Sequence, residues 1–157
     1  TFVKRGTGNH EAQTQKMCHL LDGIDRNEAL VVFPEGSRFS PAKRERILEK
    51  LNASNPLAAA RARSLHHVLP IRPAGCLALM NKRPDMDVVI CAHTGLEGAN
   101  KLEDFIGGAL LDKTVHVKFW RIPAREIPQS DEERAAWLQS CWREVDTWVG
   151  RHQNSLN

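Results

Sequence analysis

Long hydrophobic runs are missing from this sequence. No apolar stretch approaches the roughly 20 residues that a helix needs to cross a bilayer, so the sequence predicts no transmembrane segment. Nothing in it resembles a signal peptide. Neither sign of charge dominates, because the formal net charge is only +3. This surplus is too small to indicate nucleic-acid binding, although it fits an anionic substrate or an acidic membrane surface.

Paired cysteines are missing as well. The four cysteines are scattered, without a CxxC pair or a close Cys/His cluster, at positions 18, 76, 91 and 141. This spacing argues against a disulfide framework and against a zinc site. We therefore expect reduced thiols in a cytosolic compartment and no metal.

The chain of 157 residues, with 41% hydrophobic and 26% charged residues, is long enough for one soluble domain with a hydrophobic core. Strands and helices alternate, which predicts an α/β fold with a mainly parallel sheet flanked by helices. The predicted strands are residues 1–5, 29–33, 68–71, 87–92 and 115–122. The predicted helices are residues 10–21, 41–51, 57–65, 102–111 and 131–150, with a helical turn at 76–80.

The chain has no initiator methionine, and its first five residues read like the end of a strand. We expect residues 1–157 to form one domain, incomplete at its N-terminus, that is the C-terminal portion of a longer protein.

The central motif is Phe33-Pro-Glu-Gly-Ser-Arg38, which lies between the apolar residues 30–33 and the helix start Ser40-Pro41. Open α/β sheets bind ligands at such carboxyl ends of strands. Gly36 permits a positive φ or a close backbone approach, and Arg38 can bind a phosphate through two parallel hydrogen bonds. Glu35 can orient that arginine or accept a hydrogen bond from a substrate hydroxyl. The plainer alternative is a polar loop with a surface Glu–Arg pair.

The same motif resembles the Phe-Pro-Glu-Gly-(Thr/Ser)-Arg block of the glycerolipid acyltransferases, which include 1-acylglycerol-3-phosphate and lysophospholipid acyltransferases. Phe2-Val-Lys-Arg5 resembles the family's preceding block, and Leu69-Pro-Ile-Arg-Pro73 resembles the following one. The resemblance covers residues 2–95. It implies a glycerol-3-phosphate acyltransferase-like fold. It also implies acyl transfer from acyl-CoA or acyl-carrier protein to the free hydroxyl of a lysophospholipid, such as 1-acylglycerol-3-phosphate, in phospholipid biosynthesis and without a cofactor.

The resemblance further implies which residues bind the phosphate of the acceptor. They are Lys4, Arg5, Glu35, Gly36, Ser37, Arg38 and Arg72. Lys4 can equally be a solvated strand end, and Arg72 can equally be a surface residue. The implied partners are the lysophospholipid, the acyl thioester and the cytoplasmic face of a membrane, but no nucleic acid; the oligomeric state stays open.

The catalytic HxxxxD block of that family is missing. None of the seven histidines has an aspartate five positions later. We therefore expect the catalytic His and Asp upstream of Thr1, and these 157 residues to be inactive by themselves. A rival hypothesis is a non-catalytic module that binds anions or lipids. A hydrolase that uses Ser37 or a cysteine is a second rival, which no residue spacing favours.

Two other features have both a functional and an ordinary explanation. Cys91 and His93 share one face of a predicted strand and can form a thiol nucleophile, but an apolar strand favours Cys91 as a small core residue. His66 or His67 can hydrogen-bond to the central motif, or can be an ordinary core or surface residue.

The last predicted helix carries apolar stripes that include Leu138, Trp142, Val145 and Val149. Such a stripe can pack on a sheet or touch a membrane interface. The acidic residues on its polar side favour packing.

Overall fold

The structure is a computed structural model of the chain, and it describes residues 10–25, 27–96, 111 and 113–153. Apart from a 3-10 turn at Ala124–Glu126, its elements are the helices α1 (His10–His19), α2 (Pro41–Ser54), α3 (Pro56–Arg63), α4 (Pro73–Lys82) and α5 (Asp131–Gln153) and the strands β1 (Val88–Thr94) and β2 (His116–Ile122). The predicted strand at 1–5 lies outside the described residues. So does the predicted helix at 102–111, except for its last residue.

Helices α2, α3 and α5 begin at local capping signals. Helix α4 begins at Pro73 without a side-chain cap and is longer than the helical turn predicted at 76–80. Ser40 caps α2 by accepting a hydrogen bond from the backbone N–H of Lys43 at 3.3 Å, and proline follows it. Asn55 caps α3 in the same way, accepting from Ala58 at 3.0 Å. At α5 the hydroxyl of Ser130 accepts from the N–H of Glu133 and contacts its carboxylate at 2.8 Å, as expected of a capping box.

The sheet differs from the prediction. The mixed α/β class is confirmed, but the only sheet among the described residues is the antiparallel pair of β1 and β2, in which Val88 faces Ile122 and Thr94 faces His116. The continuous apolar run in β1 had indicated a parallel strand buried on both faces. In the structure only one face of β1 is covered, because Val89 on the other face is 56% exposed.

Two further predicted strands are wrong. Residues 29–33 and 68–71 are outside regular secondary structure, and neither pairs with another strand among the residues that the structure describes. Val31 and Phe33 are largely exposed, whereas Val68 and Leu69 are buried. An apolar run shows where a chain can avoid water, but a strand also needs a neighbouring edge for its backbone hydrogen bonds.

The core lies between α5 and the inner face of the sheet. Its buried members are Leu65, Val68, Ala92, Val145 and Val149, and Ile90, Trp120, Trp142 and Trp148 pack against them. The apolar stripe of α5 therefore packs on the sheet, as its acidic polar side had favoured. Within the described ranges, no helix combines the length and the apolar character that a membrane crossing requires.

Strand β2 has one face on the core and one face exposed to solvent. On the exposed face, Val117 and Phe119 are 51% and 65% exposed. Trp120 instead packs on the core and makes an edge-on contact with Trp148 at 6.1 Å. Because Cys91 lies opposite Phe119, it too is exposed, and its assignment to the core was wrong.

Candidate functional site

The central motif forms a tight turn before α2. The N–H of Gly36 donates to the carbonyl oxygen of Phe33 at 3.0 Å, and Gly36 has a φ of +70°. A side chain at this φ would be strained, so the turn needs its glycine. The positive φ predicted for Gly36 is therefore confirmed.

A second segment, residues 66–72, runs beside this turn. The N–H of Arg72 donates to the carbonyl oxygen of Pro34 at 2.9 Å. A Cβ atom placed on Gly36 would lie 3.9 Å from Nη1 of Arg72, so the Arg72 guanidinium borders the turn. The structure thus brings together Arg72 and the Glu35–Gly36 turn, which are well separated in the sequence.

The half-buried carboxyl of Glu35 points to this segment and to α5. The backbone N–H of Leu69 and the indole N–H of Trp142 both face it. Burial raises the pKa of Glu35 to about 7, and the two donors lower it by less than burial raises it. A surface pair of Glu35 with Arg38 does not match this half-buried position.

The next two predicted site residues follow Gly36 in the chain. Ser37 is half-buried and Arg38 is exposed. The Nζ atom of Lys43 donates to the carbonyl oxygen of Arg38 at 3.0 Å, which places another cation beside the motif. Lys4 and Arg5 lie outside the described residues.

Behind the 66–72 segment lies a carboxylate that sequence reasoning missed. Oδ1 of Asp146 accepts from the backbone N–H groups of His66, His67 and Val68 at 2.8, 2.6 and 3.1 Å. Asp146 is only 6% exposed. No sequence pattern connects it to this segment, because the contact depends on the packing of α5.

Both histidines of this segment contact α5, but only His67 does so through its side chain as well as its backbone. The imidazole of His67 bonds through Nδ1 to Gln153 at 2.8 Å, and the side chain of His66 is exposed. The predicted bond from one of them to the central motif is not found among the described contacts.

The site offers cations and a half-buried carboxyl, and this chemistry suits an anionic ligand. No cluster of three or more His, Cys, Asp or Glu side chains within the described residues can hold a metal ion.

Burial raises the pKa of Cys76, and burial together with Glu144 raises that of Cys141 to about 11, so both are poor thiolate nucleophiles near neutral pH.

Three curated relatives match most of the chain. The 1-acyl-sn-glycerol-3-phosphate acyltransferases delta of Pongo abelii and Homo sapiens are each 29% identical over 136 residues, which is 83% of this chain and 33% of theirs. Lysocardiolipin acyltransferase 1 of Gallus gallus is 24% identical over 157 residues, or 96% of this chain and 39% of its own. The chain therefore spans between a third and two fifths of these relatives. No protein-family model and no solved structure matches it.

Proposed function

Because its curated relatives support the acyltransferase family, we propose that this chain is the acceptor-binding part of a lysophospholipid acyltransferase. The acceptor is a lysophospholipid of the 1-acylglycerol-3-phosphate type, and the donor is an acyl thioester. The observation that carries the proposal is the position of the Arg72 guanidinium against the Glu35–Gly36 turn, which also bears Arg38.

In this proposal, Arg38 and Arg72 bind the phosphate of the acceptor. Each charge-assisted hydrogen bond contributes about 1.5–3 kcal/mol when it is sheltered from water. Gly36 supports this arrangement, because the turn presents no side chain where it borders the Arg72 guanidinium. Holding the phosphate at one place fixes the distance of the glycerol hydroxyl from the thioester.

The reaction is a direct acyl transfer. The acceptor hydroxyl loses its proton to a general base, its oxygen bonds to the thioester carbonyl carbon, and the carbon–sulfur bond breaks to release the thiolate. A His–Asp pair outside these 157 residues is the base in this proposal, because no histidine here has the HxxxxD spacing. The enzyme works on lipid at the cytoplasmic face of a membrane.

The test uses the full-length protein that contains this chain. We expect Arg38→Ala and Arg72→Ala each to lower kcat/KM for lysophosphatidic acid about 10- to 150-fold, which corresponds to the loss of one charge-assisted bond. The KM for acyl-CoA should change little. Arg125→Ala is the matched control, because it removes an exposed cation paired with Glu126 at 3.6 Å. Unchanged acceptor kinetics in both arginine variants would refute the assignment.

The second candidate is a binding module without catalysis, which the missing HxxxxD spacing favours. It predicts that the full-length protein binds lysophosphatidic acid vesicles without transferring label from an acyl thioester. In that case Arg38→Ala should weaken binding, and the acyltransferase proposal fails.

A further inference from the structure

One face of α5 holds the segment that borders the central motif. Asp146 accepts three consecutive backbone N–H groups through a single oxygen, Oδ1. One turn earlier, Nε1 of Trp142 donates to the carbonyl oxygen of Leu69 at 3.0 Å. Residues four apart share a helix face, so these two side chains together hydrogen-bond to the backbone of four successive residues, 66–69.

The segment that α5 holds in this way also contacts the central motif. The backbone N–H of Leu69 and the indole N–H of Trp142 both face the Glu35 carboxyl. Three residues further along the segment, the N–H of Arg72 bonds to Pro34. The position of Glu35 and Arg72 therefore depends on where α5 holds residues 66–69.

We infer that Asp146 and Trp142 are positioning residues, which fix residues 66–72 against the central motif and thereby place the Glu35 carboxyl in the interior and Arg72 for phosphate binding. The role in phosphate binding rests on the proposed function. The placement of Glu35 does not, because it follows from contacts within the chain.

The type of contact separates positioning from simple stabilisation. Val145 and Val149 already supply the apolar packing of α5 at this place. A buried carboxyl group costs solvation free energy unless directed donors replace its water. Three N–H groups converging on one oxygen define the location of a backbone segment, which apolar contacts do not do because they have no preferred direction.

The pKa of Glu35 measures whether residues 66–72 are in place against the motif. The turn also carries Arg38, the segment carries Arg72, and Asp146 on α5 is bonded to the backbone of the segment, but no charged group is among the causes of the shifted pKa of Glu35. Burial is the largest cause of the raised pKa of Glu35. If the segment moves away, water reaches the carboxyl and the pKa falls towards its ordinary value of 4.5.

The experiment is a pH titration of the Glu35 carboxyl carbon by NMR in ¹³C-glutamate-labelled protein, with Glu35→Gln to assign the signal. We expect Asp146→Ala to lower the pKa of Glu35 by at least about one unit. Asp146→Asn should largely preserve it, because the amide oxygen still accepts the three N–H groups.

The control is Arg134→Met, on the same helix. Arg134 is 4% exposed and bonds to Pro128 and Asn81, remote from the segment. The Arg134→Met substitution should lower the Tm but leave the pKa of Glu35 unchanged. If Asp146→Ala lowers the Tm in the same way without moving that pKa, Asp146 is only structural and the inference is overturned.

Trp142→Phe keeps the test decisive even if Asp146→Ala does not fold. It removes the N–H that holds the carbonyl oxygen of Leu69. Release of the segment should admit water and lower the pKa of Glu35, whereas loss of the indole donor alone would raise it. An unchanged or raised pKa in Trp142→Phe would overturn the positioning role of Trp142. The titration needs no substrate, so absence of acyl transfer in the full-length protein would refute the proposed function and leave the positioning intact.

Discussion

The indole N–H of Trp142 donates to the carbonyl oxygen of Leu69 at 3.0 Å, which joins the last helix to the segment beside the central motif. The N–H of Leu69, in turn, faces the Glu35 carboxyl. One residue of a short buried segment thus connects α5 with the motif. The carboxyl of Glu35 consequently belongs to the interior of the protein more than to its surface, and this determines how it titrates.

Replacing Glu35 by glutamine should remove a pH-dependent loss of stability. The folded protein keeps the Glu35 proton up to about pH 7, whereas an ordinary glutamate releases it near 4.5. Because the folded state binds more protons between these values, the free energy of unfolding should fall as the pH rises through this window. Allowing for solvent screening at a half-buried site, we expect the wild type to lose about 1–2 kcal/mol relative to Glu35→Gln.

Urea unfolding of both proteins at about pH 5 and about pH 8 measures this difference. At the lower pH the two proteins should be similar in stability, and at the higher pH the variant should be the more stable. Equal losses in both proteins would show that the Glu35 carboxyl is solvated in the folded state.

A methyl group at Gly150 should collide with His67. A Cβ atom there would lie 2.6 Å from Nε2 of the imidazole, and the hydrogen bond from its Nδ1 to Gln153 opposes a shift of the ring. We expect Gly150→Ala to destabilise the protein by about 1–3 kcal/mol, despite the roughly 1 kcal/mol that alanine gains over glycine within a helix.

The double variant supplies the control for this clash. In a His67→Ala background the space is open, so Gly150→Ala should be neutral or stabilising. A double-mutant cycle by urea unfolding should give a coupling energy of about 1–3 kcal/mol between the two positions. Purely additive effects would mean that the two residues do not meet.

Neighbouring aromatic residues of β2 should differ sharply in their contribution to stability. Trp120 packs on the core and against Trp148, so Trp120→Ala should cost about 2–4 kcal/mol. Phe119 is 65% exposed, and Phe119→Ser should change the free energy of unfolding by no more than about 0.5 kcal/mol. Thermal unfolding compares the two; a larger loss for Phe119→Ser than for Trp120→Ala would contradict the exposed position of Phe119.

Helices α2 and α5 were predictable because the signals at their starts are local. Ser40 with proline after it, and Ser130 with Glu133 three residues later, satisfy the first N–H groups of α2 and α5 within a few residues. The strands were less predictable. The alternation in β2 was detected, but it could not show which face the core would take, since Trp120 is as apolar a candidate as Phe119.

The candidate site divides in the same way. The sequence alone identified the turn at Glu35–Arg38, the need for Gly36 and the possible approach of Arg72. It could not identify Trp142 or Asp146, because neither belongs to a motif and both act on a segment far away in the chain.

By itself, then, the sequence determined the starts of α2 and α5, the central motif and the absence of an HxxxxD pair in this chain. Only the tertiary structure decided that β1 and β2 run antiparallel, which face of β2 is covered and that Glu35 turns inward to Leu69. The physical reason is the range of the interactions. Caps and turns close hydrogen bonds between near neighbours, whereas the direction of a sheet and the partner of a buried carboxyl are set by contacts between distant residues, which only the folded chain brings together.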